Sequence, residues 1–370
     1  MSAANQVYVA VIGAGGVGRH FLQQLHVLSQ KLPNISLILI SRSTKSLRAP
    51  FRTKPLSLES WESDLNASTS PALNVSQIIK FLDEIPGKRV LIDNTSNQDV
   101  ANAYPEFLKR GISVVTPNKK AFSSDISLWK DIQDSGYRPY EPYLERGLMY
   151  HESSVGAGLP IISTLKDLIN TGDRVQKIEG VFSGTMSFLF NNFAPVEGKG
   201  GKWSAEVAKA KEAGFTEPDP RDDLNGVDVA RKLVILARLV GLEIASTDSF
   251  PVQSLIPTEL ESAKSAEDFM ERLPEFDESM DKVKNEAVVE GKVVRFVGSI
   301  DVAKKAVKVG LEKFDKGHPI AGLKGSDNIV SFYTQRYGAN PLVVQGAGAG
   351  GAVTAMGVTA DLIKVIQRIS

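Results

Sequence analysis

The chain has 370 residues, 42% hydrophobic and 23% charged, which is enough to bury a sizeable core and long enough for two domains or one α/β unit with an insertion. Its 43 Lys and Arg cancel 43 Asp and Glu, and no basic stripe interleaved with aromatics occurs, which argues against nucleic acid as a partner. With no cysteine, a disulfide framework, Cys-ligated metal and a thiol nucleophile are excluded, and no apolar run reaches the roughly 18 to 20 residues of a membrane span.

The polar start MSAANQ leads into the first strand without a basic n-region, apolar stretch or cleavage site, so a cytoplasmic protein is expected. Val7 to Ile12 reads as a buried strand, Gly13-Ala14-Gly15-Gly16-Val17-Gly18 as a tight turn, and Phe21, Leu22, Leu25 and Leu28 as the apolar face of a helix. A G-x-G-x-x-G match is weak alone. Between a strand and a helix it is the setting in which backbone N–H groups and a helix N-terminus hold a pyrophosphate. A strand at Ile35 to Ile40, a polar Ser/Arg/Pro stretch, a helix near Val75 to Leu82 and a strand Arg89 to Asp93 follow. Asp99 to Lys109 reads as a helix interrupted by Pro105 and ended by Gly111, before the strand Ile112 to Val115. This alternation predicts a doubly wound parallel sheet of Rossmann type.

Two polar clusters follow strands of that sheet. Asp93-Asn94-Thr95-Ser96 stands where open α/β sheets form their ligand crevice, so Thr95 and Ser96 are candidates to line a cofactor, while Ser96 or Asn97 also suits a helix N-cap. Thr116-Pro117-Asn118-Lys119-Lys120 places a cation in a similar position, although a lysine pair is also ordinary solvated surface.

From about residue 150 the pattern changes to an α+β domain. The glycine-rich Val155 to Gly158 leads to helices at Ile161 to Ile169, Met186 to Phe193, Ala205 to Ala213 and Val227 to Val240, with a strand at Lys177 to Phe182. A charged helical stretch Ala263 to Glu286 precedes antiparallel strands at Val293 to Ile300, Ala306 to Glu312 and Ile329 to Tyr333. Val343 to Gly351 and the apolar helix ending at Ile369 read as one more strand, glycine turn and helix, returning to the first domain. The expected division is therefore 1–150 plus 341–370, and 151–340. His20, His26, His151 and His318 show no ligand spacing.

The most informative segment is GFTEPDPRDDLNGVDVARK, Gly214 to Lys232. Asp228 and Lys232 stand four apart on one helix face, so a carboxylate can orient an ammonium. An ordinary surface pair beside an acidic helix start has the same spacing. The density of acids, with Glu217, Asp219, Asp222, Asp223 and Asp228 around one lysine, suits a pocket that captures an ammonium group.

With these segments in view, the chain resembles homoserine dehydrogenase of the short fungal type along almost its whole length. The matching stretches are VAVIGAGGVG, VLIDNTS, TPNKKAFSSD, YHESSVGAGLPII, KIEGVFSGTMSFLFN, FTEPDPRDDLNGVDVARK and QGAGAGGAVTA. The resemblance implies reversible NAD(P)H-dependent reduction of L-aspartate 4-semialdehyde to L-homoserine by a homodimer, with a nucleotide domain and a substrate and dimerisation domain. It implies Lys232 as proton donor, Glu217, Asp223 and Asp228 as substrate-binding residues, and Lys119 beside cofactor and substrate. It further implies a cofactor contact at Gly350, beside those read from the glycine turn at Gly13, Gly15, Gly16, Val17 and Gly18 and from the strand end at Thr95 and Ser96. A sodium site would be built largely from main-chain oxygens of Glu152, Val155, Ala157 and Leu159. The chain stops soon after the closing helix, so an appended regulatory module is not expected.

Cofactor preference can be read from the residues themselves. NAD-specific Rossmann proteins carry an acid about 20 residues beyond the glycine motif, whereas this chain has Ser41-Arg42-Ser43-Thr44-Lys45. Arg42 suits a 2′-phosphate, so NADP(H) is expected to be preferred with NAD(H) still usable. An unperturbed lysine, with a pKa of about 10.4, donates a proton at neutral pH and must lose it for the reverse reaction, which favours alcohol oxidation in alkali. Aspartate-semialdehyde dehydrogenase uses the same metabolite but needs a thiolate, which the absence of cysteine removes. A polyol or sugar dehydrogenase and a non-catalytic nucleotide sensor remain as rivals, separable by activity toward aspartate semialdehyde.

Overall fold

Val7–Ile12 (β1) and Ile35–Ser41 (β2) are buried at every position, as strands of a parallel sheet covered on both faces must be. In the computed structural model, which describes residues 6–50, 54–137, 141 and 145–369, they belong to a six-stranded sheet. Its other members are Ser46–Arg48 (β3), Lys88–Asp93 (β4), Ile112–Val115 (β5) and Met149–Tyr150 (β6), in the order β3-β2-β1-β4-β5-β6. All pairings are parallel except the short β2–β3 hairpin. β1 lies between β2 and β4, so the strand order reverses there, and the ends of β1 and β4 form the switch point at which open α/β sheets bind ligands. The leader reading of MSAANQ falls mostly on residues 1–5, outside the described residues.

The first compact unit comprises Met1–Pro160 and Ala349–Ser370. Its closing helix, Gly351–Ile369, buries Ala355, Val358, Leu362, Val365 and Ile366 in one core with Phe21, Leu22 and Leu25 of the Gly16–Lys31 helix. The second unit, Ile161–Gly348, is built on a five-stranded antiparallel sheet. Its strands are Val175–Val181 (β7), Lys292–Asp301 (β8), Ala306–Asp315 (β9), Asp327–Thr334 (β10) and Leu342–Ala347 (β11), in the order β11-β10-β7-β8-β9.

Two expectations change. The expected strand from Val343 does not travel with its helix: β11 pairs antiparallel with β10, and only the helix after the glycine turn joins the first unit. Its alternating burial is that of an edge strand with one covered face, unlike the fully buried β1. The helix expected over Asp99 to Lys109 is two, Gln98–Asn102 and Tyr104–Lys109, with Pro105 tolerated in the first turn of the second. The loop 194–202 is held by specific contacts. The Ala194 carbonyl accepts from the buried Arg295 at 2.7 Å, and a Cβ on Gly200, where φ is 68°, would lie 2.0 Å from the Phe193 carbonyl oxygen.

Arg295, on β8, is 2% exposed and donates to the carbonyls of Phe190, Ala194, Val294 and Ala321. Burial pushes its guanidinium down to about 10. The side chain thereby ties the Gly184–Phe193 helix and the loop before β10 to the sheet.

Two glycines of the first turn are dictated by packing. Gly13 has φ 82°, and a Cβ there would meet the Asn94 carbonyl carbon at 2.7 Å. A Cβ on Gly18 would lie 2.0 Å from the Gly13 carbonyl oxygen, a backbone obstacle that no rotamer relieves. Gly18→Ala should therefore destabilise the protein by about 1–3 kcal/mol, whereas Gly15→Ala, with nothing within 4 Å of the added carbon, should leave the urea midpoint near that of the parent. Equal midpoints for the two variants would contradict this assignment.

Candidate active site

The Gly16–Lys31 helix starts without a side-chain cap and without an acidic residue in its first turn, so its N-terminal N–H groups are available to an anion. Added Cβ atoms at Gly15, Gly16 and Gly350 would meet nothing within 4 Å. The closing glycine turn reaches the same helix: a Cβ on Gly351 would be 2.8 Å from the His20 ring and 3.4 Å from the Gly16 carbonyl oxygen. Beside the first glycine turn, both side-chain polar atoms of Asn94 are buried and have no hydrogen-bond partner among the described residues. Open space over three glycines, a bare helix start and an unsatisfied buried amide fit a dinucleotide phosphate. Val17 instead packs partly against the core.

The loops flanking this space are held by one carboxylate. Asp93, at the end of β4, is fully buried and accepts from Thr95 N at 2.8 Å, Thr95 Oγ1 at 2.6 Å, Tyr104 Oη at 2.5 Å and Asn118 Nδ2 at 3.2 Å. Burial raises its pKa above the usual aspartate value, against the pull of these four donors. Tyr104 Oη also lies 3.0 Å from Thr116 Oγ1, and Thr116 donates to the Asp93 carbonyl. Asn118 accepts from the N–H of Lys120. The residues after β4 and β5 are therefore one hydrogen-bonded assembly that sets the backbone of Lys119. Thr95 spends its hydroxyl on Asp93, Ser96 is exposed, and Asn97 caps the Gln98–Asn102 helix.

Arg42 leaves the end of β2 and donates through Nε to the carbonyl of Ala14, inside the glycine turn, at 3.2 Å. Its Nη2 lies 3.1 Å from Glu62. Farther along, Glu152 is buried, its N–H donates to the buried Asp361 at 2.7 Å, and Lys364 stands 3.6 Å from its carboxylate. The chain then bends through two successive left-handed residues, Gly156 with φ 77° and Ala157 with φ 54°. A non-glycine residue in that region stores strain that local structure must sustain.

In the second unit, the Val227–Leu239 helix carries Lys232 with its side chain 8% exposed, paired with Asp228 at 2.7 Å and donating to the Phe182 carbonyl at 2.6 Å. A buried ammonium is not the solvated surface pair that the spacing also allowed. Asp223 accepts from the N–H of Glu217 at 2.8 Å and from Thr185 Oγ1 at 2.9 Å. Burial raises its pKa, and the nearby charges of Glu217 and Asp228 raise it further. Of the five acids in the segment, Asp219 is forked to Arg221 and Asp222 is exposed. Glu217, Asp223 and Asp228 remain as a group beside one lysine.

Sequence reasoning had not singled out Tyr104, Thr185 or the Phe182 carbonyl, and it had placed Asp93 and Asn94 in a crevice cluster without giving either a role. Thr185 offers only a hydroxyl behind a strand, and a carbonyl leaves no side-chain signal. Asp93 was visible as a strand-end acid, but its donors come from residues 2 to 25 positions away.

Comparison with known proteins gives the following likenesses. Residues 160–363 match the family described as homoserine dehydrogenase, and residues 13–136 match the homoserine dehydrogenase NAD binding domain. The chain is 57% identical to a homoserine dehydrogenase of Paracoccidioides brasiliensis, with 98% of each chain covered. It is 50% identical to that of Saccharomyces cerevisiae, covering 98% of this chain and 99% of the relative. A crystal structure of a Candida auris protein of unknown function superposes with a TM-score of 0.90 at 45% identity, covering 98% of this chain and 99% of that one.

The Asp93 assembly makes a quantitative demand. Tyr104→Phe removes one donor from a buried carboxylate, and a hydrogen bond to a charged group is worth about 1.5–3 kcal/mol. Equilibrium denaturation should show a loss of that size, and an unchanged midpoint would mean that the Tyr104 hydroxyl carries no part of the assembly.

Proposed function

The chain belongs to the homoserine dehydrogenase family, and from that premise we propose that its proton chemistry runs through Lys232 and the carboxylates around it. The reaction is the reversible NAD(P)H-dependent reduction of L-aspartate 4-semialdehyde to L-homoserine, in the biosynthesis of threonine and methionine. The observation that carries the assignment is a buried lysine with a carboxylate at 2.7 Å, in a segment where Asp223 feels the charges of Glu217 and Asp228. An ammonium held in this way can give a proton to the alkoxide oxygen formed when the aldehyde carbon accepts hydride. Bound nicotinamide supplies or takes up that hydride. Asp228 orients the lysine, while Glu217 and Asp223 complement the substrate's α-ammonium. The Asp93 assembly holds Lys119 to steady the cofactor.

The finer cofactor reading is NADP(H) preferred and NAD(H) usable, supported by Arg42 where an NAD-specific chain carries an acid. For the monovalent cation, the proposed ligands are main-chain oxygens of Glu152, Val155, Ala157 and Leu159. The successive left-handed residues at 156 and 157 support this, because such a bend turns carbonyls out of regular hydrogen bonding. The ion would act by bracing this bend. The same reading has the protein working as a cytoplasmic homodimer, for which light scattering at twice the chain mass is the test. Among the described residues no helix is long and apolar enough to cross a membrane.

Lys232→Ala should lower kcat about 10²- to 10⁴-fold while NADPH still quenches tryptophan fluorescence as in the parent. A folded variant with parental turnover on aspartate semialdehyde would remove Lys232 from the chemistry.

The pH profile is a second check. Because the Asp223 pKa is raised from 3.8, the residue takes up a proton earlier than an ordinary aspartate as pH falls, and the pocket loses a negative charge. KM for homoserine should therefore rise on the acid side from a pH above 3.8, and this limb should vanish in Asp223→Asn. An identical acid limb in the variant would assign it elsewhere.

A further inference from the structure

The adenosine ribose of a dinucleotide lies beyond the second strand of a Rossmann sheet, where an acid accepts from its 2′-hydroxyl or an arginine meets its 2′-phosphate. β2 is followed here by Arg42, with no acid beside it in the chain. Space supplies one from elsewhere. The helix Trp61–Ala67 buries Trp61 and Leu65, four apart, in the core of the first unit, and this anchoring sets the position of Glu62 between them. One carboxylate oxygen, Glu62 Oε1, lies 2.5 Å from Nη2 of Arg19 and 3.1 Å from Nη2 of Arg42.

The arrangement around it is built. Arg42 also donates to the Ala14 carbonyl at 3.2 Å and to Asn66 Oδ1 at 3.2 Å, and its guanidinium lies 6.0 Å from the Trp61 ring centroid. Lys45 donates to the Asn66 carbonyl at 2.7 Å, which favours the C-terminal end of the short helix. Arg19 belongs to the first turn and a half of the glycine-turn helix. Two guanidiniums from different elements thus converge on one anion, as they would on a phosphate, and that anion is the protein's own carboxylate.

We propose that Glu62 is the residue that sets the choice between NADP(H) and NAD(H). With NAD(H), the carboxylate neutralises Arg19 and Arg42 and accepts from the ribose 2′-hydroxyl, the role that a strand-end acid plays elsewhere. With NADP(H), the 2′-phosphate takes the two arginines and the carboxylate must withdraw from them, since two anions cannot share the pair without repulsion. Glu62 therefore weakens NADP(H) binding relative to what Arg42 alone would confer, and keeps NAD(H) usable. This inference rests on the reading of Arg42 as the ribose-side residue.

The test is a fluorescence titration of the intact protein with NADPH and NADH, with displacement by 2′,5′-ADP and 5′-AMP, at one ionic strength. It compares the parent with Glu62→Gln, Glu62→Asp and Arg42→Ala. Glu62→Gln should raise the NADPH-over-NADH affinity ratio about tenfold, through loss of a like charge beside the phosphate, and should tighten 2′,5′-ADP but not 5′-AMP. Glu62→Asp, which keeps the charge, should stay within about twofold of the parent. A ratio unmoved in Glu62→Gln would overturn the assignment. If the parent prefers NADH yet Glu62→Gln shifts the ratio, NADP(H) preference fails and the role of Glu62 stands. If the parent prefers NADPH through Arg42 and Glu62→Gln changes nothing, the reverse holds.

Discussion

A buried carboxylate is expensive unless donors surround it, and Asp93 is the point at which this protein meets that cost to organise a site. Four hydrogen bonds converge on its two oxygens, two from Thr95, one from Tyr104 and one from Asn118. Each of the three donor residues belongs to a different piece of the sheet's carboxyl edge: the turn after β4, the helix behind it, and the turn after β5. Because Asn94 and Thr95 are held there, the close approach of Gly13 to their backbone is set as well. The glycine turn, the turn carrying Thr95 and the backbone carrying Lys119 are thus positioned through one anion.

The glycines around that edge divide by physical role. Gly13 and Gly18 are small because backbone atoms stand where a Cβ would go, so they serve the turn and its helix. Gly15, Gly16 and Gly350 face open space, so their smallness serves what approaches from outside. The closing helix joins the two roles. It supplies core residues against Phe21, Leu22 and Leu25, brings Gly350 to the start of the first helix, and anchors the 152–158 bend through Asp361 and the Thr354 carbonyl.

The second unit contains two buried cations that differ in kind. Arg295 is surrounded by carbonyls, with burial alone depressing its basicity. It is a structural tie whose charge is spread over backbone dipoles. Lys232 has a carbonyl on one side and a half-exposed carboxylate on the other, and stands near acids that outnumber it. The first arrangement commits both terminal nitrogens of the guanidinium to carbonyls, whereas the second sets an ammonium beside a carboxylate that is half open to water.

Periodicity was sufficient for β1, β2, β4 and β5, the glycine turn and the helices that carry Lys232 and the closing apolar face, because each is a local pattern with a single solution; β3 and β6, of three and two residues, are too short to carry a period. The same chemistry in a local pattern also located Asp223, Asp228 and Lys232 within one segment. What the chain could not disclose are relations between residues far apart in order. The destination of β11, whose strand-turn-helix appearance matches the first unit, depends on its pairing with β10. The Tyr104 and Asn118 donors of Asp93, the burial of Lys232 under the Phe182 carbonyl, and the meeting of Arg19, Arg42 and Glu62 were likewise decided only in three dimensions. The physical reason is common to all: a side chain's partner is chosen by which elements pack together, and a hydrogen bond or ion pair spanning 20 to 50 residues leaves no periodic trace in either segment that makes it.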